Sequence, residues 1–300
     1  MSLTRNGRGI AAICVGMCIF VGNDTLVKLA AEEGLPTVQI IVMRGVVACS
    51  LFFLGIVALS LHTGARATLT HPLVILRSSI DALVTLAFIT ALPLMPIADL
   101  TAISMVSPIL ITILSALLLR ESVGWRRWLA VAAGFAGMLL VVRPSAGGFQ
   151  LAGLLGLASA CGVAIREIVT RRLPPTLPSV FVALATTLTT TVIAVVLTPF
   201  WPAWQMPSPR AIGYLLGAAV LLVAGTTLVI LAFRDVDVSA VSPFRFTSVT
   251  WAMLAGLLVF GNVPAPLALA GVVLIVASGT YTAHRERVRK VTRVGSPTRR

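Results

Sequence analysis

The sequence is poor in charged residues. Only 11% of its 300 residues are Asp, Glu, Lys or Arg, whereas soluble domains carry about a quarter. Hydrophobic side chains make up 58% of the chain. A chain with this balance must meet a solvent other than water. The composition therefore excludes an ordinary soluble globular protein and predicts an integral membrane protein.

Cysteine and histidine are also scarce. The chain has four Cys, with no Cys-x-x-Cys spacing, and three His, which do not cluster within apolar segments. It contains no His-Glu-x-x-His, Gly-x-Ser-x-Gly or P-loop pattern. We therefore expect no disulfide framework, metal site, cofactor or enzymatic activity. An intramembrane enzyme would need clustered catalytic groups, and an ion channel would need a filter-like glycine-rich loop, so these remain the weaker alternatives.

Long apolar segments recur along the whole chain with short breaks between them. A membrane-spanning helix needs about 20 residues, and these segments are continuous rather than alternating with a period of two, which favours helices over a barrel. The sequence therefore predicts an all-α integral membrane fold of ten transmembrane helices. The predicted spans are 10–30, 37–60, 73–93, 97–119, 126–143, 149–170, 178–198, 210–232, 238–260 and 265–283.

The basic residues are distributed unevenly between the two sides of this predicted topology. With a cytoplasmic amino terminus, 17 of the 23 Lys and Arg lie on the cytoplasmic side, and only Arg143 and Arg210 lie outside. The positive-inside rule then places both termini in the cytoplasm, in a bacterial-type inner membrane. The net charge of +13 is thus an orientation signal. The basic tail is expected near anionic lipid headgroups and not on nucleic acid.

An internal repeat divides the chain into two halves of five predicted helices. Asp99–Ala102 resembles Asp237–Ala240, and each is followed by a proline-interrupted helix containing Pro108 or Pro243. Because five is odd, the second half enters the membrane from the opposite side, which predicts a 5+5 inverted repeat with a substrate site near the bilayer midplane. The predicted units are the first repeat at 1–145, the second at 146–284 and the tail at 285–300.

Several short motifs carry a resemblance to a known family. They are Asn23-Asp24 with Lys28, Arg44, the stretch PLMPIA at 93–98, Ser107-Pro108, LLLRE at 117–121, Trp128, Gly134 and Gly137. With these motifs the chain resembles the drug/metabolite transporter superfamily, in its ten-helix EamA-like branch. In the second half it departs from that pattern, because Gly261 stands where the family often has an acidic residue.

The resemblance implies a secondary transporter working by alternating access, with helices one to four and six to nine around the cavity. Family members move amino acids, sugars, nucleotides, cofactors and drugs. We expect export of small metabolites, with amino acids as the first candidates and with broad specificity. The alternative is uptake of a larger metabolite that is nucleoside-like or flavin-like. The expected partners are a small-molecule substrate and the lipid bilayer, with the chain a monomer or a homodimer.

Charges inside the predicted spans are costly and mark candidate functional residues. Asp24 and Arg44 are predicted at similar depth in the outer half and are expected to pair. Lys28 lies one turn after Asp24, where it can pair with that acid or extend to the surface.

A second charged group is expected in the cytoplasmic half. It contains Asp81, which can pair locally with Arg77, together with Arg245, Arg166 and Glu167. One hypothesis makes the two groups gates on either side of a central site. The other holds that the charges only neutralise each other and fix helix packing.

Polar groups and prolines in the facing helices complete the predicted site. Pro108 and Pro243 each free a backbone carbonyl at depth, whereas the glycine-rich helices five and ten are expected to pack closely and not to bind substrate. The candidate substrate-binding or gating residues are Asn23, Asp24, Lys28, Arg44, Asp81, Thr101, Ser104, Ser107, Pro108, Glu167, Ser242, Arg245 and Trp251.

Overall fold

The computed structural model describes residues 2–60, 63–118, 125–142, 151–232, 242–263 and 265–294, and all regular secondary structure in these segments is helical. The prediction of an all-α fold is therefore confirmed for the described part of the chain. The helices are α1 (Ser2–Glu32), α2 (Thr37–Ala58), α3 (Ala65–Leu69), α4 (Pro72–Ala91), α5 (Ile97–Ser104), α6 (Ser107–Leu118), α7 (Trp125–Val142), α8 (Leu151–Thr170), α9 (Ser179–Leu197), α10 (Pro209–Ala232), α11 (Thr247–Phe260) and α12 (Pro266–Val294).

Six described segments are long and apolar enough to cross a membrane, and they match six of the predicted spans. They are Gly7–Glu32, Thr37–Ala58, Pro72–Leu94, Leu151–Thr170, Ser179–Phe200 and Pro209–Ala232. The other four predicted spans correspond to shorter apolar stretches, which are Ile97–Ile111, Trp128–Val141, Phe244–Phe260 and Pro266–Ser278.

Two of the shorter stretches contain breaks near the predicted prolines. The fourth predicted span is divided at Met105 and Val106 into α5 and α6, with Pro108 in the first turn of α6. In the ninth, a 3₁₀ turn at Ser242–Phe246 precedes α11, and the residues before it lie outside the described part. A proline lacks an N–H and is tolerated in the first turn of a helix, which explains why α6 restarts where it does.

Proline and glycine also set the ends of several long helices. Pro72 occupies the first turn of α4, and His71 Nδ1 caps that helix by accepting from the N–H of Leu73 at 3.2 Å. Gly261 ends α11 with φ of +64°. In that left-handed conformation a side chain would be strained, so glycine at this position serves the helix terminus.

The helices pack in matched pairs. The most extensive contact joins α1 to α10, and its counterpart joins α8 to α4. The contact between α4 and α9 corresponds to the contact between α10 and α2. The contact between α1 and α11 corresponds to the contacts of α8 with α5 and α6. The contact between α7 and α12 joins two helices at corresponding positions in the two halves, and so does the contact between α2 and α9. Each of these contacts is therefore its own counterpart. The same helix contacts thus recur when each of the first five predicted spans is exchanged with the span five places later in the chain.

The contact between α7 and α12 brings two backbones together. A Cβ added to Gly137 would lie 2.7 Å from the carbonyl oxygen of Gly271, and one added to Gly271 would lie 2.5 Å from that of Gly137. Neither obstacle is a flexible side chain, so the approach requires glycine on both helices. The prediction that helices five and ten pack closely is confirmed at these positions.

We expect Gly271→Ala to destabilise the protein, because the new methyl group would force the backbones of α7 and α12 apart. Overpacking of this kind costs about 1–3 kcal/mol, which should lower the midpoint of thermal unfolding in detergent. Gly213→Ala in α10 is the matched control, since a Cβ there meets nothing within 4 Å. Equal unfolding midpoints for the two variants would contradict the glycine contact.

Candidate functional site

A cavity of about 720 Å³ lies between the helices. Residues of α1, α2, α4, α5, α8, α9, α10 and α11 line it, and so do residues of the connection 171–178 between α8 and α9. In the described part of the chain, no residue of α7 or α12 contributes to the lining. The cavity therefore follows the arrangement that the family resemblance implies, with the glycine-packed pair of helices outside it.

Apolar packing closes the bundle at the end where α1 turns into α2. A cluster of fully buried side chains joins the end of α1, the start of α2, the end of α4 and the starts of α5 and α10. At the opposite end the cavity extends to Leu173, Pro174, Pro175 and Leu177 in the connection between α8 and α9. The cavity is therefore asymmetric, being sealed at one end and reaching a loop at the other.

Lys28 is buried within the sealed end, with 4% of its surface exposed. Its ammonium group donates to the carbonyl oxygens of Leu92 at 3.1 Å and Met95 at 2.6 Å, and it lies 5.1 Å from the centre of the Phe260 ring. Both carbonyls belong to the connection between α4 and α5, where the regular helical hydrogen bonds are interrupted, and Lys28 supplies a donor to each. Both expectations for Lys28 are wrong, since it neither pairs with Asp24 nor extends to the surface.

Asp24 and Arg44 lie near each other but are not in direct contact. Arg44 Nη1 donates to Asn23 Oδ1 at 3.2 Å, and Asn23 Nδ2 donates to Asp24 Oδ1 at 2.8 Å. The side-chain amide of Asn23 therefore links the two charges, because it can accept with its oxygen and donate with its nitrogen. The expected direct pair of Asp24 and Arg44 is therefore wrong, and a hydrogen-bonded chain of Arg44, Asn23 and Asp24 takes its place. Asp24 and Arg44 both line the cavity.

Asp81 pairs with a different arginine from the one expected locally. Its carboxylate accepts from Arg166 Nη1 on α8, and Arg166 Nη2 lies 3.9 Å from Glu167 Oε2. Arg77 instead donates to the hydroxyls of Thr170 at 3.0 Å and Thr186 at 2.6 Å. The expected pairing of Arg77 with Asp81 is therefore wrong in this conformation. Glu167 does not line the cavity.

The predicted hydroxyl residues of α5 and α6 divide into two groups. Thr101 and Ser104 line the cavity, and Ser104 donates to its own helix at Leu100 O, 3.0 Å away. The hydroxyl of Thr101 is buried without a hydrogen-bond partner in the described structure. Ser107 is buried, but neither it nor Pro108 lines the cavity.

The predicted residues of the ninth span also differ in position. Arg245 and Ser248 line the cavity. Trp251 does not, because its ring packs against two apolar clusters and its indole Nε1 is buried without a partner in the described structure. The side chain of Ser242 lies outside the described residues.

Sequence reasoning missed a threonine-rich wall on α9. Thr186, Thr187, Thr190 and Thr191 all line the cavity. Residues four apart share a helical face, so the run TTLTTT at 186–191 places two such pairs side by side. Five threonines within six residues of an apolar span were the available signal. Arg77 and Arg166 belong to the predicted cytoplasmic charged group but not to the list of candidate binding residues, and both line the cavity.

The cavity thus combines fixed charges, hydroxyl groups and apolar surface, including the rings of Phe20 and Phe88. In the described segments no three His, Cys, Asp or Glu side chains come together in a way that could hold a metal ion. The arrangement can hold a polar solute of moderate size by hydrogen bonds and charge, with one end of the cavity sealed.

Comparison with a family model matches almost the whole chain. The EamA-like transporter family model matches twice, over residues 7–143 and 150–282. A solved crystal structure also superimposes on 92% of this chain and 98% of its own, with a TM-score of 0.62 and 18% sequence identity. At that identity the likeness shows a shared fold.

Curated relatives of the chain are named as transporters. It is 34% identical over 198 residues to a riboflavin transporter of Vibrio cholerae, a match that covers 64% of each chain. It is 24% identical to an S-adenosylmethionine uptake transporter of Rickettsia bellii, over 65% of this chain and 67% of the relative. It is 26% identical to the pseudopaline exporter CntI of Pseudomonas aeruginosa, over 90% of this chain and 94% of that protein.

The matched region spans 64% of the length of the Vibrio riboflavin transporter, whereas the family model accounts for both halves of this chain. Together with the long apolar helices, these matches identify a multi-pass membrane protein of a bacterial transporter family. The chain belongs to the EamA-like transporter family.

Proposed function

We propose that the chain is a secondary carrier that moves a cofactor-sized polar metabolite across a bacterial inner membrane by alternating access. The observation that carries this proposal is the cavity of about 720 Å³, polar in part, sealed at one end and reaching a loop at the other. Its volume lies within the range of roughly 300–1,000 Å³ that is common for small-molecule sites.

A flavin-like molecule is the first candidate substrate. The relative with 34% identity is named as a riboflavin transporter. Phe20 and Phe88 offer apolar surface for a flat ring, while the threonine wall of α9 offers hydroxyls for a polar chain. This substrate corresponds to the larger-metabolite alternative from the sequence.

Amino-acid export is the second candidate. It is favoured by the presence of Asp24 and Asp81 together with arginines in one cavity, since a zwitterion needs partners of both signs. A relative that matches over 94% of its own length is named as an exporter. The cavity volume favours the larger solute over a single amino acid.

The proposed architecture is ten helices in two inverted halves, at residues 1–145 and 146–284, followed by a basic tail at 285–300. Two observations support it. The family model matches each half separately, and the helix contacts recur when the halves are exchanged. The cavity lies within one chain, so the proposed carrier requires no partner subunit and is compatible with a monomer or a homodimer.

The distribution of basic residues orients this arrangement. It puts both termini and the connection 171–178 on the cytoplasmic side, so the cavity is open toward the cytoplasm and the Lys28 end is closed toward the exterior. In this proposal Lys28 and the apolar cluster form the outer gate. The charged groups around Asp24 and Asp81 border the site itself.

We expect Ala183→Trp to reduce transport at least tenfold, because Ala183 lines the cavity and an indole ring there would occupy space that the solute needs. The measurement is uptake of riboflavin and of riboflavin 5′-phosphate into liposomes containing the purified protein. Competition by unlabelled amino acids in the same assay distinguishes the two candidate substrates.

Val196→Trp is the matched control for this steric test. Val196 lies on the same helix, α9, but its side chain is 64% exposed on the bundle surface, so the added ring would meet lipid and leave transport near the wild-type rate. Equal rates for the two variants would contradict the assignment of this cavity as the transport path.

We expect Lys28→Met to open the outer gate. Methionine has an unbranched side chain like that of lysine but no ammonium group, so the variant loses both hydrogen bonds to the carbonyls of Leu92 and Met95. Each hydrogen bond to a charged group contributes about 1.5–3 kcal/mol. A cysteine introduced at Thr101, in a background without the four native cysteines, should then react several-fold faster with an impermeant thiol reagent from outside. An unchanged rate would contradict the role of Lys28 as part of the seal.

A further inference from the structure

The cavity carries more positive than negative side chains. Four arginines line it, whereas the only carboxylates among the described lining residues are two aspartates. The arginines are Arg44, Arg77, Arg166 and Arg245, and the aspartates are Asp24 and Asp81.

Both aspartates are already engaged. Asp81 accepts from Arg166, and Asp24 is linked to Arg44 through the amide of Asn23. These contacts compensate two of the four cations, so the remaining pair must find other partners.

The remaining two arginines contact no carboxylate in the described structure. Arg77 donates only to the hydroxyls of Thr170 and Thr186. Arg245 is half-buried and makes no hydrogen bond or ion pair with any described residue. The charge of Glu167 acts on Arg245 from a distance, but Glu167 is in turn beside Arg166.

An uncompensated guanidinium inside a membrane bundle is costly, and such groups usually mark a solute pathway. Arginine presents several N–H donors in a planar fork that matches the oxygens of a carboxylate or a phosphate. The free donors of Arg245 therefore fit an anionic oxygen group supplied by the solute.

We propose that the transported metabolite carries a phosphate or a carboxylate, and that Arg245 binds this group. This inference rests on the proposed function and specifies the class of its substrate. It assigns the neutral and hydroxyl-rich part of the solute to the threonine wall of α9. The anionic part is assigned to Arg245, in the 3₁₀ turn that precedes α11.

A matched pair of ligands tests the inference directly. Riboflavin and riboflavin 5′-phosphate share the ring and the sugar alcohol chain and differ in the phosphate. With purified full-length protein in detergent, measured by quenching of flavin fluorescence, we expect the phosphate ester to bind about tenfold or more tightly than riboflavin. A 5′-carboxylate analogue tests the other anionic group in the same assay.

The expected preference should depend on Arg245. Arg245→Gln should reduce the ratio of phosphate-ester to riboflavin affinity by about tenfold, and Arg245→Lys should retain part of it. Arg171→Gln is the matched control, because Arg171 is exposed beyond the end of α8 and does not line the cavity. Thermal unfolding of each variant establishes that it is folded.

A second measurement uses inorganic phosphate and does not depend on the organic substrate. We expect phosphate to raise the unfolding midpoint of the wild type above that in chloride of equal ionic strength, and not to do so in Arg245→Gln. If phosphate stabilises the protein but no flavin binds or is transported, the flavin proposal fails and the anion site stands.

Three results would overturn the inference. The first is equal binding of riboflavin and its phosphate ester together with no stabilisation by inorganic phosphate. The second is a phosphate preference that Arg245→Gln leaves intact. The third is loss of all phosphate-ester binding when phosphatidylglycerol is added to the micelles, which would assign the arginines to a lipid headgroup.

Discussion

A charge inside a helical bundle surrounded by lipid is costly unless a partner compensates it, and this constraint determines how several of the described helices are joined. Three solutions occur. Asp81 and Arg166 form an ion pair between α4 and α8. Arg44 on α2 reaches Asp24 on α1 through an amide. Lys28 on α1 binds backbone carbonyls beyond the end of α4. Each link joins two cavity-forming helices, so the groups that neutralise one another also hold the walls of the site.

The sequence predicts how deep these charged residues lie in the membrane but not which neighbouring helix each side chain faces. The apolar spans and the close packing at Gly137 and Gly271 follow from local pattern, because they need only periodicity and residue size. Partner choice depends on tertiary placement, which is why Asp81 pairs with a residue 85 positions away and not with Arg77 one turn before it. Trp251 illustrates the same limit, since its span is predicted and its packing away from the cavity is not.

The helices pack in two ways, with one close backbone contact away from the cavity and side-chain contacts around it. Where Gly137 meets Gly271, backbone lies against backbone, and an interface of this kind tolerates little adjustment. The helices around the cavity instead meet through side chains and hydrogen bonds that can be exchanged. In the proposed mechanism, the paired contacts between the two halves allow the same rearrangement to close one end and open the other. In that mechanism the conformation described here is one of two related arrangements.

In the proposed mechanism, exchange of ion-pair partners connects the solute to this rearrangement. The side chains of Arg166 and Asp81 are 19% and 16% exposed, and both border the cavity. An anionic group that binds Arg245 would therefore also lie in the field of Arg166, and it would compete with Asp81 for that guanidinium. Weakening of the Asp81–Arg166 pair loosens the link between α4 and α8. A solute that lacks the anionic group can enter the same space but supplies no competing charge. Under this proposal, the differential interaction that alternating access requires resides in the charge of the solute, while the size of the solute determines only whether it fits.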